Sequence, residues 1–256
     1  MTKKDIVKFL YQHILKVLFF LKHPFSTSTV HSRGLTFKLV SDNYITKYRA
    51  RSFNDKEPEL LDWLDNNLRD GDVLFDVGAN VGIYSIYAAL RNPKAMIYAF
   101  EPEYSNLHQL KQNIINNNLF ENVIPFSLAI SDQIGVSYLH IQDFTPGAAL
   151  STESSDYLTK TFDKDVIWKE GVGTTTLDLI SDNFGIQPNL IKIDVDGNEL
   201  KILNGGRNVF ANPKMRSVII EMIETLPNYF KIERYLDSHG FILDQNFGEN
   251  QVWSRQ

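Results

Sequence analysis

Apolar residues recur along this chain in two alternating rhythms. Short continuous runs occupy residues 73–77, 95–100, 123–130, 190–195 and 217–220. Strands covered on both faces of a parallel sheet read this way. Between the runs lie helical stripes. Residues 58–68 carry Leu60, Leu61, Trp63, Leu64 and Leu68 on one side, and the segment after Pro102 carries Leu107, Leu110, Ile114 and Ile115. Further helices are expected over 81–90, from 176, from 199 and over 232–239. Residues 240–243 and 251–253 then close the chain as a hairpin. Five strand–helix units followed by a hairpin predict an α/β domain with a mostly parallel sheet and one antiparallel strand near its end.

Three stretches depart from this rhythm. Residues 35–40 and 44–49 alternate apolar and polar positions around Ser41, Asp42 and Asn43, which predicts a hairpin ahead of the core. Between 131 and 176 the strand–helix alternation stops. Residues 136–141 and 166–174 read as a strand pair, and the intervening 142–164 carries Pro146, Gly147 and many Ser and Thr residues. An insertion of this length in a compact α/β domain marks a binding loop or a surface excursion. At the N-terminus, Ile6, Phe9, Leu10, Ile14, Val17, Leu18 and Leu21 face one side of a helix, with Lys4, Lys8, Gln12 and Lys16 opposite. Gln12, His13 and Lys16 interrupt the apolar centre that a signal peptide needs. Residues 1–22 therefore read as a helix packed on protein, or as peripheral membrane contact through a basic amphipathic face.

Composition narrows the class. A chain of 256 residues that is 43% hydrophobic suits one domain with decoration. We read residues 1–69 as an N-terminal extension and 70–256 as the catalytic core with its insertion at 131–176. A net charge of −5 gives a nucleic-acid substrate no electrostatic help. Zero cysteines exclude disulfides and thiolate metal sites. No run of eighteen uncharged apolar residues is present, so the expected location is cytoplasmic, or peripheral to a membrane.

The chemistry begins at residues 73–82, VLFDVGANVG, where an apolar strand runs into a glycine turn. Nineteen residues past Gly82 the next apolar run ends on Glu101 and Pro102. A turn of this kind lets a ligand approach the backbone, and an acid at the next strand end can grip a ribose diol. A dinucleotide fold wants G-x-G-x-x-G. Here Gly78 and Gly82 are separated by three residues, Ala79, Asn80 and Val81, and Asp76 precedes the first glycine by two. A carboxylate at that place repels a pyrophosphate and attracts a cationic amino-acid tail, which favours S-adenosylmethionine over a nicotinamide cofactor. A ligand-free strand-to-helix turn is the plainer alternative.

Four strand ends carry acids: Asp76, Glu101, Asp194 with Asp196, and Glu221. In an open α/β sheet those ends rim the ligand crevice, and buried carboxylates are costly unless paired or functional. The sharp turn at Gly197 brings Asp194, Asp196 and Glu199 near one another. Such a cluster suits a hydroxyl-orienting site, a general base or a hard metal, although Asp196 and Asn198 also suit a turn and Glu199 a helix start. We assign no metal ligands. His140, on the insertion strand, is a third candidate base behind Asp194 and Glu221, and His239 reads as a helix-end residue.

Four blocks resemble the FkbM family of methyltransferases: DVGANVGIYS at 76–85, FEP at 100–102 with Asn106, TTLD at 175–178, and IKIDVDG at 191–197. The family usually has glutamate where this chain has Asp196. The resemblance implies a Rossmann-like class I methyltransferase fold with a seven-stranded sheet and S-adenosyl-L-methionine as donor. It also implies O-methylation of a saccharide, glycolipid or natural-product hydroxyl. By that analogy Asp76, Gly78, Asn80 and Gly82 surround the methionine part, Glu101 the ribose, and Ser131 and Asp132 the adenine, with Asp196 and Glu199 toward the acceptor. An oxidoreductase and a non-catalytic cofactor-binding relative are the competing readings.

Overall fold

A computed structural model describes residues 26–149, 152 and 165–255. The expected amphipathic helix at 1–22 and most of the 142–164 insertion beyond Ala149 lie outside the described residues.

Three layers form the core. The central sheet contains β3 (Val73–Val77), β4 (Met96–Phe100), β5 (Val123–Phe126), β9 (Leu190–Ile193), β10 (Ser217–Glu221), β11 (Phe241–Phe247) and β12 (Asn250–Arg255), in the order β11-β12-β10-β9-β3-β4-β5. β10, β9, β3, β4 and β5 run parallel, and β12 is antiparallel to both of its neighbours. Strand order reverses between β3 and β9, so the crevice opens where Val77 and Ile193 end side by side.

On one face, α2 (Pro58–Asn67), α3 (Ile83–Arg91) and α4 (Tyr104–Asn116) cover the sheet through Leu61, Ile86, Tyr87 and Leu110. On the other, α5 (Leu177–Phe184), α6 (Glu199–Asn204), α7 (Arg207–Ala211) and α8 (Tyr229–Ser238) bury Leu177, Ile202, Phe210 and Leu236. Helix ends are closed by local side chains. Glu103 accepts from Ser105 N and Asn106 N at the start of α4, and Thr176 accepts from Leu179 N at the start of α5. Asp178 reaches across to accept from Val209 N (2.9 Å) and Asn208 N (3.1 Å), capping α7, a helix that the apolar pattern does not show.

Two expectations are corrected. Residues 44–49 are not the second strand of a hairpin but part of α1 (Tyr44–Arg51). Asn43 caps this helix, accepting from Ile45 N and Thr46 N, while Thr46 Oγ1 accepts from Asn43 N in return. The hairpin is made one segment earlier, by β1 (Thr27–Ser32) and β2 (Leu35–Val40) around Arg33 and Gly34. Both turn residues have positive φ, as a two-residue hairpin turn of matching twist requires. The apolar run at 123–130 is likewise two strands. The chain leaves the main sheet after Phe126, and β6 (Ala129–Ile130) joins a side sheet with β7 (Gly135–Ile141) and β8 (Trp168–Thr175). Apolar residues continue from β5 into β6, so apolar patterning cannot separate the two strands. β7 and β8 pair antiparallel from Gly135–Thr174 to Ile141–Trp168, as the insertion pattern predicts.

Candidate active site

The turn between β3 and α3 is built to let something approach its backbone. Gly78, Asn80 and Gly82 all have positive φ. A Cβ on Gly78 would lie 1.9 Å from the Asp194 carbonyl oxygen, so only glycine lets these two strand ends meet. Asn80 N donates to Glu101 Oε2 at 2.7 Å and Glu103 N to Oε1 at 2.9 Å. Glu101 is thereby held at the end of β4 with its carboxylate at the crevice. Burial pushes it up to about 8 against the lowering effect of those two N–H donors.

One cavity at this crevice gathers Gly78, Asn80, Glu101, Asp194, Asp196 and Glu221. Arg49, Lys56, Glu57, Asn106 and Asn250 also line it, and none of these five is a site candidate in the sequence reading. An apolar slot adjoins the cavity, sharing Gly78, Pro102 and Val195 with it, and is walled by Phe100, Leu128, Ile130 and Leu139.

Several expected residues sit elsewhere. The Asp76 side chain is buried beneath the turn; its Oδ2 accepts from Ser85 Oγ (2.5 Å) and its Oδ1 lies 3.1 Å from Lys192 Nζ. Gly82 packs against Leu110 of α4. Ser131 and Asp132 follow β6 and line neither chamber: the Ser131 carbonyl packs against Gly205, and Asp132 is exposed. His140 lies in the side sheet, bridged through its backbone to Thr152 at 2.7 and 3.1 Å. Glu199 opens α6, accepting from Gly197 N at 3.0 Å, and burial pushes it up to about 8.

Lys192, absent from the sequence candidates, organises the centre. It is only 4% exposed, and its Nζ lies 3.1 Å from Asp76, 3.3 Å from Asp194 and 3.2 Å from the Gly78 carbonyl. Burial works to lower its pKa, but the two carboxylates outweigh burial and hold the ammonium above the ordinary lysine range. A lysine inside an apolar strand flanked by acids was the available signal. Asp194 shows the reciprocal effect. Burial works to raise it, whereas Lys192, then Lys56 and Arg49, hold it below the usual aspartate range. Its side chain stays 44% exposed toward the cavity. Glu221 goes the other way, to about 9, through burial and the nearby charges of Asp194, Asp196, Glu199 and Glu249.

The start of the insertion roofs this site. Asn43 Nδ2 donates to the Pro146 carbonyl (3.1 Å), Arg49 Nε to the Gly147 carbonyl (2.7 Å) and Asn80 Nδ2 to the Ala148 carbonyl (2.8 Å). Gly147 N donates to Asn106 Oδ1 at 2.7 Å. Four residues, from α1 and its cap, the glycine turn and α4, thus hold three successive residues over the turn.

A seven-stranded sheet in this order, with a glycine turn at its switch point and an acid at the next strand end, is the arrangement of a Rossmann-like, S-adenosylmethionine-dependent methyltransferase. Residues 76–243 match the family model of the methyltransferase FkbM domain, and the chain belongs to that family. It is 28% identical over 195 residues to 31-O-demethyl-FK506 methyltransferase FkbM of Streptomyces tacrolimicus, covering 68% of this chain and 74% of that one. To hexuronic acid methyltransferase AglP of Haloferax volcanii it is 29% identical over 172 residues, covering 65% of this chain and 62% of that protein. Among solved structures, a SAM-dependent methyltransferase from Agrobacterium tumefaciens aligns with a TM-score of 0.50 at 10% identity, covering 90% of this chain and 70% of that one. That likeness concerns the fold. Among the described residues, no helix is long and apolar enough to cross a membrane.

Proposed function

We propose that this chain transfers a methyl group from S-adenosylmethionine to a hydroxyl of a saccharide, glycolipid or natural product. The observation that carries this reading is the meeting of Gly78, Glu101 and Asp194 in one cavity beside an apolar slot. Two relatives support the acceptor class by name, one an O-demethyl compound and one a sugar acid.

The residues present fit the donor. Gly78 and Asn80 border the cavity, Glu101 offers a carboxyl group to a ribose diol, and the slot of Phe100, Leu128, Ile130 and Leu139 suits a flat base. When bound, the cofactor supplies an electrophilic methyl on a sulfonium. The acceptor oxygen forms its bond to carbon as the carbon–sulfur bond breaks, and the hydroxyl proton must go to a base. Asp194 fits that role because its side chain reaches the cavity as an ionised carboxylate. Glu221, at about 9, is protonated there and suits hydrogen-bond donation to the acceptor. His140 borders neither chamber and ranks last as base. Alignment of the two substrates supplies much of the remaining acceleration.

Calorimetry with S-adenosylhomocysteine and with NAD tests the donor; binding of NAD alone would remove the proposal. Peripheral membrane contact through residues 1–22 is tested by liposome co-sedimentation of the chain with and without them.

A further inference from the structure

Beside the cofactor cavity lies a second recess, on the outer side of α1, of about 290 Å³. The two spaces share Arg49, Lys56, Ala148 and Ala149, which therefore form the wall between them. Charge is divided across that wall. The inner cavity is bordered by five carboxylates, those of Glu57, Glu101, Asp194, Asp196 and Glu221, and its cations are Arg49 and Lys56. The recess has the same two cations and Asp143, together with Ile45 and Tyr48. Tyr48 is 60% exposed, an aromatic platform of the kind a sugar ring packs against. Arg49 is fixed at the boundary because its Nε donates to the Gly147 carbonyl at 2.7 Å. That bond uses one of five N–H donors, and no other hydrogen bond engages the guanidinium among the described residues. Lys56 pairs with the neighbouring Glu57, which leaves Arg49 the less compensated of the two.

We propose that this recess is an anion subsite for the acceptor. Arg49, with Lys56 beside it, pairs with a carboxylate, sulfate or phosphate group on the acceptor, while the hydroxyl to be methylated points inward toward Asp194. The Asp194 carboxylate inside repels an anion, so a charged acceptor finds one favourable orientation, with its anionic group outside and its hydroxyl inside. A planar guanidinium matches all three oxyanions in two-point geometry. This inference rests on the methyltransferase reading above and assigns the outer half of the same site.

The test uses the full chain saturated with S-adenosylhomocysteine and titrated with D-glucuronate, D-glucose 6-sulfate, D-glucose 6-phosphate and D-glucose. At least one acidic sugar should bind tenfold or more tighter than glucose, and the preference should weaken with salt. Arg49→Gln should remove the preference, and Arg49→Lys should restore part of it. Equal binding of all four sugars, or of none, overturns the proposal. So does a preference that survives Arg49→Gln. A loss of S-adenosylhomocysteine affinity in Arg49→Gln overturns it too, by giving the cation to the cofactor's own carboxylate. Failure of the parent chain to bind S-adenosylhomocysteine would instead fault the methyltransferase reading. Melting temperatures of the variants separate a lost subsite from a lost fold.

Discussion

Gly78 and Asp194 sit so close that a single added carbon on the glycine would fall 1.9 Å from the aspartate's carbonyl oxygen. The contact is between two backbones at the ends of β3 and β9, and neither can swing aside. At Gly82 the matching approach, 2.1 Å, is to the tip of the Leu110 side chain, which can rotate. Both glycines also have positive φ, which alone costs a Cβ about 1–2 kcal/mol.

Gly78→Ala should therefore eliminate S-adenosylhomocysteine binding and lower the melting temperature strongly. Gly82→Ala should keep measurable binding. Calorimetry and thermal melts of the two variants read this directly, and equal damage would contradict the distinction between backbone and side-chain neighbours.

Lys192 compensates two carboxylates at once. Removing one partner of a buried ion pair typically costs about 3–5 kcal/mol, because a charge is left without its counterpart. Lys192→Met should destabilise the chain by that order. Adding Asp76→Asn should recover part of the loss, since it deletes the more buried of the two stranded charges. A urea-unfolding cycle of the single and double variants measures the coupling, and simple additivity would argue against a shared role.

Asp194→Asn should lower methyl transfer by about 10²–10⁴, the usual scale for loss of a positioned base. S-adenosylhomocysteine affinity should stay close to that of the parent. Glu221→Gln, which keeps a donor where a protonated acid stands, should be much milder. If the two substitutions reduce turnover equally, Asp194 is not the proton acceptor.

Three buried glutamates set the stability profile above neutrality. Glu101 and Glu199 are pushed to about 8 and Glu221 to about 9, in each case chiefly by burial, from an ordinary value near 4.5. The folded state thus holds protons that the unfolded chain releases. Their contribution is complete below about 4.5 and is lost as pH rises through 8 to 9. The opposite shift of Asp194 acts only at acidic pH. The melting temperature should fall between pH 6 and pH 9, and Glu199→Gln should flatten that fall. A melting temperature constant over this window would refute the assignment.

Much of this site was legible before any coordinates. The apolar runs placed the five parallel strands, and the acids at their ends marked the rim because a carboxylate there must face either a partner or a ligand. Glu101, Asp194, Asp196 and Glu221 do meet in one cavity. Asp76 stands at the same rim but turns inward to Lys192 and Ser85, which strand-end position alone could not reveal. Arg49 and Lys56 escaped notice because residues 44–49 alternate like a strand. The alternation was overridden by one cap, Asn43, whose two hydrogen bonds started a helix and turned Arg49 toward the cavity. Ser131 and Asp132 stand off both chambers because the apolar run before them changes sheets midway, after Phe126.

The roof over the turn has one more implication. Pro146, Gly147 and Ala148 are tied down by Asn43, Arg49, Asn80 and Asn106, all of which lie outside the insertion. Whatever sequence follows Ala149 starts from a foundation it does not itself supply. Asn80 and Asn106 thereby couple the roof to the glycine turn and to α4, so a change at either asparagine is also felt at Gly147 and Ala148 on the walls of the two recesses.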